Sequence, residues 1–327
     1  MRRVSIITPC YNGETYIGRT IDSVQAQTFT NWEHVIVDDG STDGSAAIVE
    51  TYVATDSRLR LIRQPNGGVS KARNNGFAAC SPQSDYRLVL DADDCLEREM
   101  LAVMVNHLDA HPQVGLAYCG CVYIDTDDRV TGKKNVVRYV RCGLFGTRKL
   151  AADCPETPFE SVCVSAGLVP SVAVLRRSVY ELTPRWDEMF GQPAEDRDLF
   201  MHMALRGTIH YVPREMVRKR QHDSQSTADI MKLRAQDERL NRKWNSMRGL
   251  IDDDREKVEQ GRRLREGRLP ANAYAEWGND HLHAGNLVKG VKCYLRYVQR
   301  LLLIYAPRVQ LAASQDRKFN SGGSDGG

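Results

Sequence analysis

The sequence lacks a long apolar run and a surplus of one charge, and both absences narrow the classes of protein that it can encode. No window in its 327 residues holds the roughly 18 or more apolar residues that a membrane-spanning helix needs. The formal net charge is only +3 at pH 7, and no basic block is interleaved with aromatic residues. A nucleic-acid partner is therefore not expected, because its phosphates call for a basic surface. The composition is that of an ordinary globular protein.

Paired cysteines are also lacking. The nine cysteines are an odd number, none forms a CxxC pair, and the closest two are Cys119 and Cys121. Disulfide-linked secreted domains are usually short and carry an even number of cysteines. We therefore expect reduced thiols and a cytoplasmic protein, and without paired ligand spacings we expect no zinc site.

The first half of the chain alternates short apolar strands with helical patterns. Strands are predicted at residues 4–8, 34–37, 59–62 and 87–90, and helical spacing follows the first three of them. Strands that alternate with helices in this way form βαβ units and a largely parallel sheet.

The second half has a different pattern. Residues 114–124 and 162–175 are predicted to form longer strands, and residues 209–212 a short one. Residues 132–159 are polar and irregular, which is typical of a loop. Residues 194–206 have helical spacing, and from about residue 227 the chain is charged and helical. The last residues are rich in Gly and Ser, which predicts a disordered tail.

Three polar clusters follow predicted strands, at residues 8–12, 38–43 and 91–94. Ligands of open α/β sheets bind at the carboxyl ends of the strands. The clusters should therefore converge on one edge of the sheet and form a single site.

Several side chains in and near these clusters suit group transfer from a nucleoside diphosphate. Asp91 and Asp93 offer hard oxygen ligands for a divalent ion beside phosphates, although an isolated pair of this kind is more often an acidic turn or a helix cap. Asp39 can accept the imide N–H of uracil or thymine, or only shape a turn. Tyr11 can stack on a base or pack at a strand end.

The remaining candidates lie on later elements. Arg73, one turn inside a helix, can reach a base or a phosphate, or form a surface ion pair. Glu195 and Asp196 open a helix, where carboxylates either favour the dipole or point a general base into a cleft. His222 is either a metal or phosphate ligand or an isolated surface histidine. Asn66 belongs to an Asn-Gly-Gly turn.

Taken together, these segments resemble the family 2 glycosyltransferases of the GT-A fold. The motifs are, in chain order, VSIITPCYN (4–12), VDDGSTD (37–43), NGGVSKARN (66–74), LDADD (90–94), EDRDL (195–199) and RQH (220–222). The resemblance covers about residues 1–225. It implies an α/β fold of the Rossmann-like GT-A type, with a mixed, mainly parallel sheet flanked by helices.

The resemblance also implies a role for each motif residue. The donor-binding positions would be Thr8, Pro9, Tyr11, Asp39, Asn66, Arg73 and Asp91. Asp93, Asp91 and His222 would hold Mg²⁺ or Mn²⁺. Asp196, beside Glu195, would be the general base of an inverting, single-displacement transfer from a nucleoside-diphosphate sugar, with uracil or thymine donors preferred.

The expected organisation has three parts. Residues 1–225 form the transferase domain, with a nucleotide-sugar half (1–115) and an acceptor half (116–225). Residues 226–312 form a helical C-terminal region, and residues 313–327 a disordered tail. Processive relatives carry a Gln-x-x-Arg-Trp motif, but here Gln236-Asp-Glu-Arg239 is followed by Leu240. A non-processive enzyme that acts on a glycan or lipid-linked acceptor is therefore expected.

Two further questions stay open at this point. A nucleotidyltransferase also uses an acidic metal site, although it typically has a Gly-rich basic loop after the first strand. A scaffold with a degenerate transferase domain is the non-enzymatic alternative. The segment 287–305 has apolar residues at helical spacing and basic charges, which suits packing on the domain, a protein partner, self-association into an oligomer, or peripheral contact with the inner face of a membrane.

Overall fold

A computed structural model describes residues 3–135, 139–142, 146–149, 155–163, 168–190, 194–222, 230–247 and 250–262, together with residues 287–288, 291–292, 294–295 and 298. The chain divides into two compact units. One comprises Met1–Val140 and Arg148–Arg248, and the other comprises Arg141–Thr147 and Gly249–Gly327. The predicted disordered tail (313–327) lies outside the described residues.

Strands and helices alternate from β1 to β4, as predicted for the first half of the chain. The strands are β1 (Val4–Cys10), β2 (Trp32–Asp38), β3 (Leu59–Arg63), β4 (Tyr86–Val89), β5 (Cys95–Leu96), β6 (Val114–Ile124), β7 (Val130–Asn135), β8 (Tyr139–Cys142), β9 (Gly146–Lys149), β10 (Ala173–Arg176) and β11 (Thr208–Arg220). The helices are α1 (Ile17–Gln25), α2 (Ser45–Val53), α3 (Val69–Ala79), α4 (Met100–Ala110), α5 (Phe159–Cys163), α6 (Arg177–Tyr180), α7 (Glu195–Ala204) and α8 (Ile230–Asn245).

Among the described residues, one mixed sheet organises the first unit. Its strand order is β3-β2-β1-β4-β10-β6-β11-β5, with β7 paired to β6. The strands β3, β2, β1 and β4 are parallel, as are β6 and β11, while β10 runs antiparallel between β4 and β6. The antiparallel β10 leaves β4, β6 and β11 pointing the same way. Their carboxyl ends therefore meet at one edge of the sheet.

The core lies on both faces of this sheet because its inner strands are almost wholly buried. Every residue of β2 is buried, as are most residues of β1 and β6. The helix α1 buries Ile17, Ile21 and Val24 at helical spacing. The helix α3 approaches β1 so closely at Gly76 that a Cβ atom there would overlap the side chain of Ile7. This packing fixes the loops that follow β1 and precede α3.

Three predictions for the second half were wrong in detail. Residues 162–175 are not one strand: α5 ends in this range, Pro170–Val172 form a 3-10 turn, and among the residues described there only β10 forms a strand. The strand predicted at residues 209–212 is the 13-residue β11. The predicted loop 132–159 contains the end of β7, the paired strands β8 and β9, and the start of α5.

The helix α8 belongs to the same compact unit as the sheet. The proposed domain boundary at residue 225 stays a prediction. In the second unit, residues 252–262 are helical, as are the described residues between 287 and 298. Of the helices that the structure describes, none has the length and apolarity to cross a membrane.

Candidate functional site

Asp93 and His222 meet at the carboxyl edge of the sheet. Asp93 follows β4, and His222 follows β11, which points the same way. Nε2 of His222 lies 3.0 Å from Oδ2 of Asp93, and the side chains are 15% and 24% exposed, respectively. An imidazole nitrogen and a carboxylate oxygen this close can face the same ion. Two of the residues expected to hold a metal are thus neighbours.

Asp91 is held beside them by three partners. Its backbone N–H donates to Oγ of Ser171 at 3.1 Å, and its Oδ1 accepts from Nη2 of Arg73 at 3.1 Å. Its other carboxylate oxygen lies 3.9 Å from Nζ of Lys219. One carboxylate oxygen of Asp91 is therefore committed to the protein, and the other faces a cation.

Lys219 and Asp94 belong to this cluster, and neither was among the residues predicted. Nζ of Lys219 lies 3.3 Å from Oδ2 of Asp94, whose side chain is fully buried. Burial raises the pKa of Asp94 to about 7, although the positive charge of Lys219 acts to lower it. Burial acts to lower the pKa of Lys219. The negative charges of Asp94, Asp91 and Asp93 outweigh this effect and raise the pKa. The cluster therefore contains a fixed cation before any metal binds.

The signal for this cation lies in the sequence of β11. Lys219 directly precedes the Arg-Gln-His motif, on the strand that leads to it. Because only residues 209–212 were expected to form a strand, the sequence did not predict that Lys219 lies at the edge of the sheet.

Arg220 ties the loop that follows β4 to the residues that follow β6. Its backbone N–H donates to Oδ1 of Asp94 at 3.1 Å, and its Nε donates to the carbonyl of Asp93 at 3.1 Å. Its Nη1 donates to the carbonyl of Asp125, just after β6, at 2.8 Å. The side chain is fully buried. Arg220, two residues before His222, therefore fixes the position of Asp93.

Arg73 does not point into open solvent. Its Nη1 donates to Oε1 of Glu195 at 2.7 Å, its Nη2 donates to Asp91, and its guanidinium lies 4.4 Å from the centre of the Trp186 ring. Arg73 and Glu195 are 1% and 2% exposed. This buried pair joins the metal-binding loop to the first turn of α7.

Asp196 lies next in the same turn. Its Oδ1 accepts from the backbone N–H of Arg197 at 2.6 Å. Burial raises the pKa of Asp196 to about 7, and the charge of Glu195 acts in the same direction, against Arg73 and Arg197. A carboxyl group whose pKa lies near neutrality is suited to take a proton from an attacking hydroxyl.

Asp39 organises the loop that carries Asn66. Its Oδ1 accepts from the backbone N–H of Gly67 at 2.8 Å and from Nε2 of Gln64 at 2.7 Å, and its Oδ2 accepts from the backbone N–H of Gly68 at 2.9 Å. Gly68 has a φ of +86°, which residues with a side chain rarely adopt. A carboxylate has about four acceptor positions, so one on Oδ2 is left for a ligand.

The remaining donor candidates differ in exposure. Tyr11 is 54% exposed beyond the end of β1, and Asn66 is also exposed. Pro9 is half-buried. Thr8 is fully buried, and its Oγ1 lies 2.8 Å from Nε2 of His34. Tyr11 and Asn66 are accessible to a ligand, whereas the side chain of Thr8 serves the packing of β1 on β2.

Comparisons with known proteins agree with this architecture. Residues 5–181 match the family described as Glycosyl transferase family 2. A curated relative, the uncharacterized glycosyltransferase EpsJ of Bacillus subtilis (strain 168), is 38% identical over 128 residues, which are 39% of this chain and 36% of the relative. The chain spans well under half the length of the curated relatives it matches.

Two solved structures share the fold. The mannosyltransferase PcManGT from Pyrobaculum calidifontis, in complex with GDP-Man and Mn²⁺, has a TM-score of 0.61 at 18% identity and covers 95% of this chain and 87% of its own. S. aureus TarS 1-349, in complex with UDP-GlcNAc, has a TM-score of 0.57 at 18% identity and covers 91% of this chain and 92% of its own. The mainly parallel sheet with flanking helices is therefore confirmed.

Proposed function

The chain belongs to glycosyl transferase family 2, and from this premise we propose that it transfers one sugar from a nucleoside diphosphate to a hydroxyl of a glycan or glycolipid. The observation that carries the proposal is the meeting of Asp93 and His222 at the sheet edge, with Asp91, two residues before Asp93, joined through Arg73 and Glu195 to the turn that carries Asp196. A metal-binding group and a candidate general base thus belong to one connected set of side chains.

Asp93 and His222, whose side chains lie 3.0 Å apart at this edge, offer a carboxylate oxygen and an imidazole nitrogen to a divalent ion. Asp93, His222 and Asp91 would hold it, and when bound it neutralises the charge of the departing diphosphate. Carboxylate oxygens suit Mg²⁺ and Mn²⁺, whereas an imidazole nitrogen suits transition metals. The mixed set therefore favours Mn²⁺ over Mg²⁺. Lys219 adds a positive charge of its own at the same place.

Asp196 is the general base of this proposal. It would accept the proton of the acceptor hydroxyl while the sugar leaves the diphosphate, which gives inversion in a single displacement. Arg73 and Glu195 do not carry out this step: they fix the turn in which Asp196 lies. The pKa of about 7 places Asp196 where it is ionised in a large fraction of molecules at neutral pH.

The donor base is proposed to be uracil or thymine. The acceptor position left on Oδ2 of Asp39 suits the N3–H of either ring, and Tyr11 is exposed for stacking. Two solved structures with this fold hold different donors, UDP-GlcNAc in TarS and GDP-Man in PcManGT. The fold alone therefore does not select the base, and we propose that the loop around Asp39 does.

A panel of UDP, dTDP and GDP sugars tests the proposal, with release of nucleoside diphosphate in Mn²⁺ as the readout. We expect release from a UDP or dTDP sugar, and its loss in Asp93→Ala. Glu50→Gln, on α2 with a side chain 55% exposed, is the matched control and should behave as the wild type. Tightest binding of GDP in calorimetry would overturn the choice of base.

The same assay separates the competing functions. A nucleotidyltransferase releases pyrophosphate rather than nucleoside diphosphate. A scaffold with a degenerate domain releases neither, with any donor and any divalent ion.

A contact with the membrane is the second candidate, and it rests on the second unit. Five apolar side chains between residues 287 and 298 are 48–68% exposed: Leu287, Val288, Val291, Leu295 and Val298. The segment 287–305 also carries Lys289, Lys292, Arg296 and Arg300 and no acidic residue. Basic and apolar residues on one helix suit the surface of an anionic bilayer. We propose that this segment docks there and gives access to a lipid-linked acceptor.

A further inference from the structure

Three histidines lie together far from the acidic cluster. His107 is in the last turn of α4, His111 follows that helix, and His210 is near the start of β11. Nε2 of His107 lies 3.1 Å from Nδ1 of His210. One ring nitrogen of each of the three lies within 4.8 Å of one from each of the others. The function proposed above uses none of these side chains.

The spacing of these nitrogens is close to what a tetrahedral ion requires. Zinc binds imidazole nitrogen at about 2.0–2.1 Å, which places two ligand nitrogens about 3.3 Å apart at the tetrahedral angle. The measured 3.1 Å between His107 and His210 is already near this value. His111 has to move its ring by only a small amount, and its position after the end of α4 allows that movement.

Hydrogen bonding fixes which nitrogen His111 presents. Its Nδ1 lies 2.8 Å from the backbone carbonyl of His107, so Nδ1 carries the proton and donates. The lone pair is then on Nε2. A histidine that ligates a metal usually donates its other N–H to a carbonyl or carboxylate in this way, which sets the ring orientation.

The surroundings favour neutral imidazoles, the form that ligates metals. Burial, and then the neighbouring His111 and His210, lower the pKa of His107 to about 4. Burial and His111 also lower the pKa of His210. The three rings contact one another, with centroids 4.4–5.3 Å apart.

The cluster is separate from the catalytic edge. His210 pairs with Ala117 and Arg220 with Ile124, which are seven residues apart on β6; at about 3.3 Å per residue of strand this is roughly 23 Å. The strand leads from the histidine cluster at its amino end to the acidic cluster at its carboxyl end. The two places also differ in chemistry, three imidazole nitrogens against a set dominated by carboxylates.

We propose that His107, His111 and His210 bind one Zn²⁺ ion, with water in the fourth position. The ion joins the end of α4 to β11. Its role is to stabilise the pairing of β11 with β6, on which the position of His222 depends. The absence of paired cysteine spacings, which excluded zinc at the level of sequence, does not bear on a site built from histidine alone.

Calorimetry on the full-length protein tests the proposal, with ZnCl₂ as titrant and the variant Asp93→Ala/His222→Gln measured in parallel, because the imidazole of His222 can also take Zn²⁺. We expect a tight Zn²⁺ site that this double variant retains. In His107→Gln and in His111→Gln that affinity should fall by more than about 100-fold, since even partners outside the ligand shell contribute 10–100-fold. Saturating Zn²⁺ should raise the Tm of the wild type by about 5 °C and leave that of the variants unchanged.

The matched control is His281→Gln, which removes one imidazole from elsewhere in the chain and should leave the tight site intact. Unfolding without metal shows that each variant is folded, and His111, which follows the end of α4, serves if His107→Gln unfolds. Replacing Zn²⁺ by Co²⁺ should give the visible absorption of a tetrahedral ion in the wild type only. Tight binding that persists in both single variants, or no tight site in the wild type, overturns the proposal.

Discussion

Arg73 and Glu195 form a buried ion pair at 2.7 Å that connects α3 with α7. The other arm of Arg73 reaches Asp91, so one guanidinium joins the loop expected to hold the metal to the turn that carries Asp196. Oε2 of Glu195 has no hydrogen-bond partner among the described residues. The ion pair therefore fixes the loop after β4 relative to the turn that carries Asp196. The neighbouring carboxylates differ in role, because Glu195 holds Arg73 and Asp196 is the proposed general base.

Glu195→Gln is predicted to destabilise the fold. The substitution keeps the shape but leaves the buried charge of Arg73 with Asp91 as its single close carboxylate. Breaking one side of a buried pair typically costs about 3–5 kcal/mol. Thermal unfolding should show a Tm lower by at least about 6 °C. An unchanged Tm together with a lost kcat would mean that Glu195 takes part in the chemistry.

Asp196→Asn is predicted to abolish turnover without loss of stability. The amide keeps the hydrogen bond to the N–H of Arg197 but cannot accept a proton. General base catalysis contributes about 10²–10⁴-fold to the rate, and kcat should fall by that factor. Donor affinity, measured by calorimetry with the nucleotide, should stay within about twofold because Asp39 and Tyr11 are untouched. Normal turnover would assign the base elsewhere.

The dependence of kcat/KM on pH should follow Asp196. The pKa of this carboxyl is raised to about 7, and a base acts only when it is ionised. The rate should therefore be low at pH 5, rise through pH 7 and level off above it. The rising limb should be missing from the residual activity of Asp196→Asn. A profile that is flat from pH 5 to 8 would contradict the assignment.

His222→Gln is predicted to change the metal preference. Loss of the imidazole removes a ligand that suits transition metals and leaves the carboxylates. The Mn²⁺ concentration needed for half-maximal rate should rise at least about 10-fold, while that for Mg²⁺ should change less. Titration of both ions into an assay of nucleotide release measures this. His281→Gln is the control, and equal shifts for both ions would exclude His222 as a ligand.

Removal of the chain after Arg268 is predicted to abolish binding to anionic vesicles. Full-length protein should sediment with vesicles that contain phosphatidylglycerol and stay in solution with phosphatidylcholine alone. Added salt should release it because basic side chains contribute part of the attraction. Equal sedimentation of the full-length and truncated proteins with the anionic vesicles would leave packing or a protein partner as the role of the segment 287–305.

Part of the candidate site could be predicted from sequence because Asp91 and Asp93 follow an apolar strand, β4. Asp93 and His222 are 129 residues apart in the chain, and only the resemblance placed His222 with the metal candidates. The strand before His222 was expected to end at residue 212, so strand direction alone did not bring the two together. The contacts of Asp39 with Gly67 and Gly68 were not predicted, because a turn sequence does not say which carboxylate it will surround.

The second half was harder to predict because its signals are local and conflicting. Residues 162–175 contain apolar runs that suit either a short helix or a strand, and Pro170 starts a 3-10 turn between them. The charged residues of β11 interrupt the apolar pattern from which its full length could have been predicted. Arg214 and Arg218 in fact pair with Glu99 and Glu97, at 2.7 and 2.6 Å. Those partners lie more than 100 residues upstream, out of reach of any pattern within a strand.

The antiparallel strand β10 has a consequence for the order in which the chain can fold. It has only four residues, yet it is the sole strand that pairs with β4 on one side and β6 on the other within the described sheet. While the polypeptide is being synthesised, β1 to β4 can assemble early, but the edge of β4 stays open until residue 176 has emerged. An unpaired edge is a place where chains associate wrongly. Substitutions in β10 should therefore reduce the yield of folded protein at high expression more than they reduce the stability of the molecules that have folded.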